Sequence, residues 1–178
     1  MRKSNIVLIG FMGTGKTSVG KQLASLLGME FVDTDMEIER ITGLKISEIF
    51  RRYGEQRFRE EERAVVKRVA ALQNAVVATG GGVVLNPENI RDLRKSGVVV
   101  LLQARPEVIA RRVQTGKDRP LLADQERLLE RIESLLQERA PYYQDCDFKV
   151  DTSDLQVHEV VDKIIEKLRE LGWQKSLE

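Results

Sequence analysis

Short apolar runs alternate along this chain with longer segments in which apolar residues recur every three or four positions. The short runs are rich in β-branched residues, are bounded by Gly, Asp or Asn, and cover residues 5–9, 30–32, 75–79, 98–103 and 148–150. Runs of this length and composition predict short strands that are buried on both faces. Strands of that kind are typical of a parallel sheet covered by helices.

The intervening segments carry the spacing of amphipathic helices. The clearest one covers residues 128–136, where apolar residues fall on one face with a period of about 3.6 residues. A second covers residues 58–72, and a last helix is predicted over residues 155–171. Strands that alternate with helices in this way predict an α/β fold.

The composition narrows the range of functions. The 178 residues predict one domain over residues 1–178. With 29 Lys and Arg against 28 Asp and Glu, the net charge of +1 gives no reason to expect nucleic acid or an anionic membrane as a partner. No run approaches the roughly 18 apolar residues that a membrane span needs, and a single cysteine suits a reducing compartment. We therefore expect a cytoplasmic protein that binds neither nucleic acid nor a membrane. We also expect a monomer.

The first predicted strand runs directly into the stretch GFMGTGKT, residues 10–17. Gly10, Gly15, Lys16 and Thr17 fit the P-loop pattern G-x-x-x-x-G-K-[ST], in which glycines let backbone N–H groups surround phosphate oxygens. Lys16 then reaches the terminal phosphates and the hydroxyl of Thr17 faces Mg²⁺. An incidental glycine turn is the alternative. The predicted nucleotide-binding residues are Gly13, Thr14, Gly15, Lys16, Thr17 and Ser18.

Acidic residues and a triple glycine follow the next two strands. The strand at 75–79 ends without an acid, whereas Asp33 and Asp35 follow the strand at 30–32. We expect Asp33 to point at the P-loop and Asp35 to open the next helix, and a simple N-cap role for Asp35 is the alternative. Glycines 80–82 stand at the carboxyl end of a strand, where open α/β sheets bind ligands, and they predict a close approach to the backbone.

Two arginines are candidates for binding an anionic group. Arg139 continues the apolar stripe of the helix at 128–136 and should therefore point inward, where a guanidinium needs a carboxylate or a phosphate. A structural salt bridge is the alternative. Arg59 lies three residues before Glu62, so a local ion pair is the simplest interpretation of that pair.

Six motifs in register resemble those of the shikimate kinase family: GFMGTGKT, FVDTD, FRxxE, GGG, RPLL and ERAPYY. The resemblance runs from Ile6 to about Asp151 and implies a three-layer P-loop kinase fold with a five-stranded parallel sheet in the order 2-3-1-4-5. It also implies a substrate-binding subdomain over about 34–62 and a lid over about 112–123. The implied reaction is ATP-dependent phosphorylation of the 3-hydroxyl of shikimate, with Mg²⁺, in aromatic amino acid biosynthesis.

The resemblance also implies a role for each site residue. Arg59 and Arg139 bind the shikimate carboxylate, and Glu62 orients Arg59. Asp35 binds the ring hydroxyls and either positions or deprotonates the attacking one. The remaining implied assignments are Mg²⁺ binding by Thr17 and Asp33, and a shikimate pocket lined by Gly80, Gly81 and Gly82.

Three more assignments concern the nucleotide. By the RPLL match, Arg119 is a lid arginine that contacts phosphates and, with Lys16 and Asp35, belongs to the catalytic set; a solvated surface charge is the alternative. Arg112 is expected to pack on adenine, in competition with Arg111. Residues 153 and 154 begin the other wall of that site. A gluconate or nucleoside monophosphate kinase, or an inactive homologue that binds ligands, are the alternative functions.

Overall fold

A computed structural model describes residues 3–114 and 128–173, and these form one five-stranded sheet. Its strands are β1 Asn5–Ile9, β2 Glu30–Asp33, β3 Ala75–Ala78, β4 Gly97–Gln103 and β5 Phe148–Asp151. All neighbouring strands pair in parallel, in the order β2-β3-β1-β4-β5. This confirms the predicted sheet and its order, with strand ends that differ from the sequence prediction by one residue.

Seven helices connect and cover the strands in the described part of the chain. They are α1 Lys16–Leu27, α2 Thr34–Thr42, α3 Ile46–Ala70, α4 Pro87–Ser96, α5 Pro106–Gln114, α6 Leu128–Arg139 and α7 Val157–Glu170. Within the described residues, no helix is both long enough and apolar enough to cross a membrane.

Alternate residues of β1 enter two different cores, which makes the sheet the middle of three layers. Val7 and Ile9 join a cluster with side chains of α3 and α4, whereas Ile6 and Leu8 join a cluster with side chains of α1 and α7. These four side chains are at most 1% exposed. Burial on both faces explains why β1 is a continuous apolar run rather than an alternating one.

Helix α3 is longer than the sequence pattern predicts, and a break divides it. Gly54 has φ 80° and ψ 175°, a conformation that residues with a β-carbon rarely adopt. The predicted helix at 58–72 is therefore only the second half of α3. The segment at 34–62, which we expect to form the substrate-binding subdomain, folds as α2 and the beginning of α3.

Because every strand is parallel, all five carboxyl ends lie at one edge of the sheet. β1 leads there into the P-loop, β2 ends at Asp33, and β3 leads into glycines 80–82. The segment after β5 begins at Thr152. The fold thus brings four separate segments of the predicted site to the same edge.

Candidate active site

The P-loop joins β1 to α1 through three glycines with positive φ: Gly10, Gly13 and Gly15. A β-carbon on Gly10 would lie 2.1 Å from the carbonyl oxygen of Leu102, so the loop passes too close to β4 for any other residue. No side chain caps the first turn of α1, which also lacks acidic residues. Its N–H groups and the positive end of the helix dipole are therefore suited to an anion.

The Lys16 side chain lies within the loop that it follows. Its Nζ donates to the carbonyl oxygens of Gly10 at 2.7 Å and of Phe11 at 2.8 Å, and the residue is 8% exposed. The ammonium group is therefore held beside the turn whose backbone would surround a phosphate. This is the position that a phosphate-binding lysine requires.

Asp33 connects the P-loop to helix α2 through its two carboxylate oxygens. Oδ2 accepts a hydrogen bond from the Thr17 hydroxyl at 2.8 Å, and Oδ1 accepts from the backbone N–H groups of Asp35 at 3.0 Å and Met36 at 3.3 Å. Asp33 is thus the N-cap of α2, and Asp35 lies in the first turn. The alternative interpretation of Asp35 as an N-cap is wrong, because α2 begins at Thr34, two residues earlier than that role requires.

The same pair of residues fits a hard divalent cation. Thr17 gives its proton to Asp33, so the lone pairs of its oxygen stay available as ligands. A hydroxyl and a carboxylate beside a phosphate-binding loop are the oxygen donors that Mg²⁺ prefers. In the described part of the chain no group of three or more His, Cys, Asp or Glu side chains could hold a metal ion.

A cavity of about 690 Å³ extends from the P-loop across this edge of the sheet. Its walls include the whole predicted nucleotide-binding stretch together with Asp33, Asp35, Gly81, Arg112 and residues 152–157. The phosphate end and the predicted acceptor end therefore open into one space. Such continuity is what direct transfer between two bound molecules needs.

Each glycine of the GGG segment leaves room for a different functional group. A β-carbon on Gly80 would lie 2.5 Å from Oδ1 of Asp35, and one on Gly82 would lie 2.6 Å from a terminal nitrogen of Arg59. On Gly81 it would lie 3.3 Å from the backbone nitrogen of Met12 in the P-loop. The three glycines therefore let the Asp35 carboxylate, the P-loop backbone and the Arg59 guanidinium pack directly on one turn. This is the close approach to the backbone that the sequence predicts.

Glu62 holds Arg59 by an ion pair beneath this turn. The NH1 group of Arg59 lies 3.0 Å from Oε2 of Glu62, whose side chain is 2% exposed. Arg59 also contacts Glu55 at 3.0 Å and lies over the Phe58 ring. Burial raises the pKa of Glu62 and nearby Asp35 raises it further, against the opposing charges of Arg59 and Arg139. The pair fixes the Arg59 side chain against Gly82.

Arg139 is buried without an ion-pair partner among the described residues. It is 6% exposed, its NH1 donates to the Gly81 carbonyl oxygen at 3.3 Å, and its Cζ lies 5.5 Å from the centre of the Phe11 ring. Its Nε has no acceptor in the described part of the chain. No described residue therefore forms the structural salt bridge that was the alternative. A buried cation in this state is suited to an anionic ligand.

Two buried hydroxyl groups complete the site, and the sequence alone did not single them out. Tyr143 donates to the Gly81 carbonyl oxygen at 2.9 Å and is 6% exposed. Thr152 donates to the Thr14 carbonyl oxygen at 3.1 Å and contacts Arg112. Tyr143 lies four residues after Arg139, beyond the end of α6, and its place in the ERAPYY motif is the signal that could have indicated it. Thr152 gives no comparable signal in the sequence.

The structure also distinguishes the two adjacent arginines of α5. Arg112 is partly buried in the cavity wall and donates to backbone and side-chain oxygens there, whereas Arg111 is exposed. Ser153 and Asp154 also line the cavity, and their place in the wall opposite Arg112 stays a prediction. Arg119 and most of the predicted lid fall within residues 115–127, outside the described residues, so the role of Arg119 stays a prediction.

Comparison with known proteins places the whole chain in a family. The family described as shikimate kinase matches residues 12–169. The shikimate kinase of Caldanaerobacter subterraneus subsp. tengcongensis is 53% identical over 90% of this chain and 94% of its own length. That of Pelotomaculum thermopropionicum is 52% identical over 95% and 98%. The structure of shikimate kinase from Acinetobacter baumannii in complex with shikimate is 37% identical, covers 96% of each chain and superposes with a TM-score of 0.90. This chain belongs to the shikimate kinase family.

Proposed function

We propose that the protein transfers the γ-phosphoryl group of ATP to the 3-hydroxyl of shikimate, giving shikimate 3-phosphate and ADP for aromatic amino acid biosynthesis. The observation that carries this proposal is the pair Arg59 and Arg139, both held on the GGG segment, whose central residue, Gly81, lines the P-loop cavity. Two guanidinium groups on one turn suit a carboxylate on a compact ring, and the adjoining Asp35 suits its hydroxyls.

At the nucleotide end, the chain supplies positive charge and orientation. The P-loop N–H groups and Lys16 bind the β- and γ-phosphates, and Lys16 moves from its carbonyl partners to phosphate oxygens when ATP enters. We propose that Thr17 and Asp33 hold Mg²⁺, which when bound neutralises charge on the phosphates. By its resemblance to the family pattern, Arg119 would add positive charge at the transferring group.

At the acceptor end, Asp35 lies between the cation site and the GGG segment. We propose that its carboxylate accepts a hydrogen bond from the attacking hydroxyl and so holds that oxygen towards the γ-phosphorus. Phosphoryl transfer needs little other covalent chemistry from a protein, because its transition state has weak bonding to the attacking oxygen. The residues at this end therefore act mainly by position.

We also propose that the protein acts as a monomer. A single cysteine, Cys146, is free, and this supports a reducing compartment such as the cytoplasm.

The experiment that tests the substrate assignment is a coupled ADP-release assay with several acceptors side by side. Shikimate, quinate, gluconate and nucleoside monophosphates are supplied in turn with Mg²⁺ and ATP. Of these acceptors, we expect only shikimate to give rapid ADP release. A preference for gluconate or for a nucleoside monophosphate would contradict the proposal, since both arginines would then bind another anion.

Glu62 predicts a specific pH dependence of shikimate binding. Its raised pKa means that it takes up a proton at a higher pH than the ordinary value of 4.5. As the pH falls, Arg59 therefore loses the charge of its partner, and the KM for shikimate should rise. The free energy of unfolding should change in the favourable direction over the same range. Ionised Glu62 opposes folding above its raised pKa, and this cost disappears as the pH falls towards 4.5.

The measurement is the KM for shikimate from about pH 8 down to about pH 5 in the wild type and in Glu62→Gln, at saturating ATP. We expect an inflection in the wild type that the glutamine variant lacks. Glu60→Gln, an exposed change on the same helix, is the matched control and should keep the inflection. The same inflection in Glu62→Gln would assign it to another group.

Tyr143 predicts a selective effect on the acceptor. Burial raises the pKa of Tyr143 to about 12, so its hydroxyl keeps its proton and donates to Gly81 throughout the working range. Tyr143→Phe removes the shorter of two hydrogen bonds to the Gly81 carbonyl, and we expect the KM for shikimate to rise about three- to tenfold. The KM for ATP should change less than about twofold.

The neighbouring Tyr142→Phe provides the control, because Tyr142 is 42% exposed. Steady-state kinetics with each substrate varied in turn make the comparison. Equal changes in both KM values for Tyr143→Phe would show that Tyr143 supports the fold in general rather than the Gly81 turn.

A further inference from the structure

Thr152 joins three elements around the nucleotide end of the cavity. It follows β5 directly, is 2% exposed, and its backbone N–H donates to the Gln103 carbonyl oxygen at the end of β4 at 2.8 Å. Its hydroxyl donates to the Thr14 carbonyl oxygen in the P-loop at 3.1 Å. A residue fixed at both its backbone and its side chain is a rigid support for whatever else it binds.

Thr152 also binds one edge of the Arg112 guanidinium group. NH1 of Arg112 donates to the Thr152 hydroxyl oxygen at 3.0 Å, and NH2 donates to the Thr152 carbonyl oxygen at 2.7 Å. NH1 also lies 3.3 Å from the Gly13 carbonyl oxygen. Because guanidinium N–H groups lie in the plane of the group, bonds to two of its nitrogens fix the orientation of that plane in the cavity wall.

The surroundings of Arg112 suit a flat aromatic ring. The cavity extends from the P-loop along residues 152–157, where Leu155 and Val157 add apolar surface. A planar cation that lines the same cavity as these apolar side chains is suited to stacking on the base of a nucleotide. Stacking depends on the orientation of both planes, so a fixed guanidinium binds the base better than a mobile one.

We propose that Thr152 is a positioning residue for ATP, which acts on the base through Arg112. This inference rests on the proposed use of ATP but not on the identity of the acceptor. It predicts that Thr152 acts on nucleotide affinity only while Arg112 is present, and that it leaves the binding of shikimate and of phosphate alone unchanged.

The test is a double-mutant cycle in which ADP binding is measured by calorimetry. Thr152→Val keeps the shape of the side chain and removes the hydroxyl, and we expect it to weaken ADP binding about fivefold. Thr152→Ser keeps the hydroxyl and should remain within about twofold of the wild type. In the Arg112→Ala background, Thr152→Val should weaken ADP binding by less than about twofold further.

Inorganic tripolyphosphate separates the two contacts of the Thr152 hydroxyl, because it occupies the P-loop without a base. We expect Thr152→Val to leave its affinity unchanged. An equal loss for tripolyphosphate and ADP would show that Thr152 acts through Thr14 and the P-loop, and would overturn the proposal. Additive effects of the two substitutions on ADP would also overturn it, as would a serine variant as weak as the valine variant.

Should Thr152→Val fail to fold, Thr152→Ala gives the same comparison. Thermal unfolding of each variant checks that the fold is kept. The acceptor assay with shikimate is independent of these results, since a different acceptor would leave the ADP cycle as predicted, and a failed ADP cycle would leave the acceptor preference as it is.

Discussion

Lys16→Met should lower kcat by about 100- to 1,000-fold, the size of effect found when a single charge-stabilising donor is removed from an active site. Lys16 is the charged side chain at the P-loop turn, and its Nζ is held by the carbonyl oxygens of Gly10 and Phe11. Methionine keeps the length of the side chain and removes the charge that the transferring phosphoryl group needs. The fold should be kept, because its core lies in the sheet and not at this turn.

Lys21→Met is the matched control for that variant. Lys21 lies on the same helix, α1, and is exposed, so the same chemical change there should leave turnover within about twofold of the wild type. Steady-state kinetics and thermal unfolding of both variants make the comparison. Near-normal turnover in Lys16→Met would mean that the P-loop lysine does not act on the phosphates.

Arg139→Lys should weaken shikimate binding by about ten- to a hundredfold, the range expected for a hydrogen bond to a charged group. Arg139 is buried and its Nε has no acceptor among the described residues. Lysine keeps the charge but loses the planar fork that can bind both oxygens of a carboxylate. ATP binding should stay within about twofold, because Arg139 donates its hydrogen bond to Gly81 and meets the P-loop only at the Phe11 ring.

Arg131→Lys is the control on the same helix, α6, because Arg131 is exposed. Calorimetric titrations with shikimate and with a non-hydrolysable ATP analogue give both affinities for each variant. Weaker binding of the ATP analogue by Arg139→Lys, with unchanged binding of shikimate, would show that Arg139 binds the nucleotide.

The sheet and the P-loop could be predicted from the sequence because both depend on local information. β1 is a continuous apolar run that is buried on both faces, and the P-loop glycines are close together in the chain. Family resemblance then supplied the strand order, which the structure confirms. The inward direction of Arg139 followed from its place on the stripe of α6, and the structure buries it.

Other features depend on contacts between distant segments and could not be predicted in this way. Thr152 meets Thr14 across 138 residues, and Tyr143 meets Gly81 across 62. The N-cap role of Asp33 depends on the residue at which β2 ends, and apolar patterns locate such ends only to within a few residues. The first half of α3 was missed because its surface is mainly polar and Gly54 interrupts it.

The contact partners of the GGG segment also could not be predicted from the sequence. From the sequence, three glycines indicate a close approach but not what approaches. The structure shows that Asp35, the P-loop backbone and Arg59 pack on Gly80, Gly81 and Gly82 in turn. The contact partners come from three different segments, so no local pattern could name them.

Phosphoryl transfer to the 3-hydroxyl of shikimate is tested most directly by phosphorus and proton NMR of the product. The protein is incubated with Mg²⁺, ATP and shikimate, and the same mixture with Lys16→Met serves as the control. We predict one new phosphate ester, coupled to the proton on carbon 3 of the ring, formed in equal amount to ADP and nearly absent with the variant. ADP formed together with inorganic phosphate, or an ester at another hydroxyl, would contradict the proposed function.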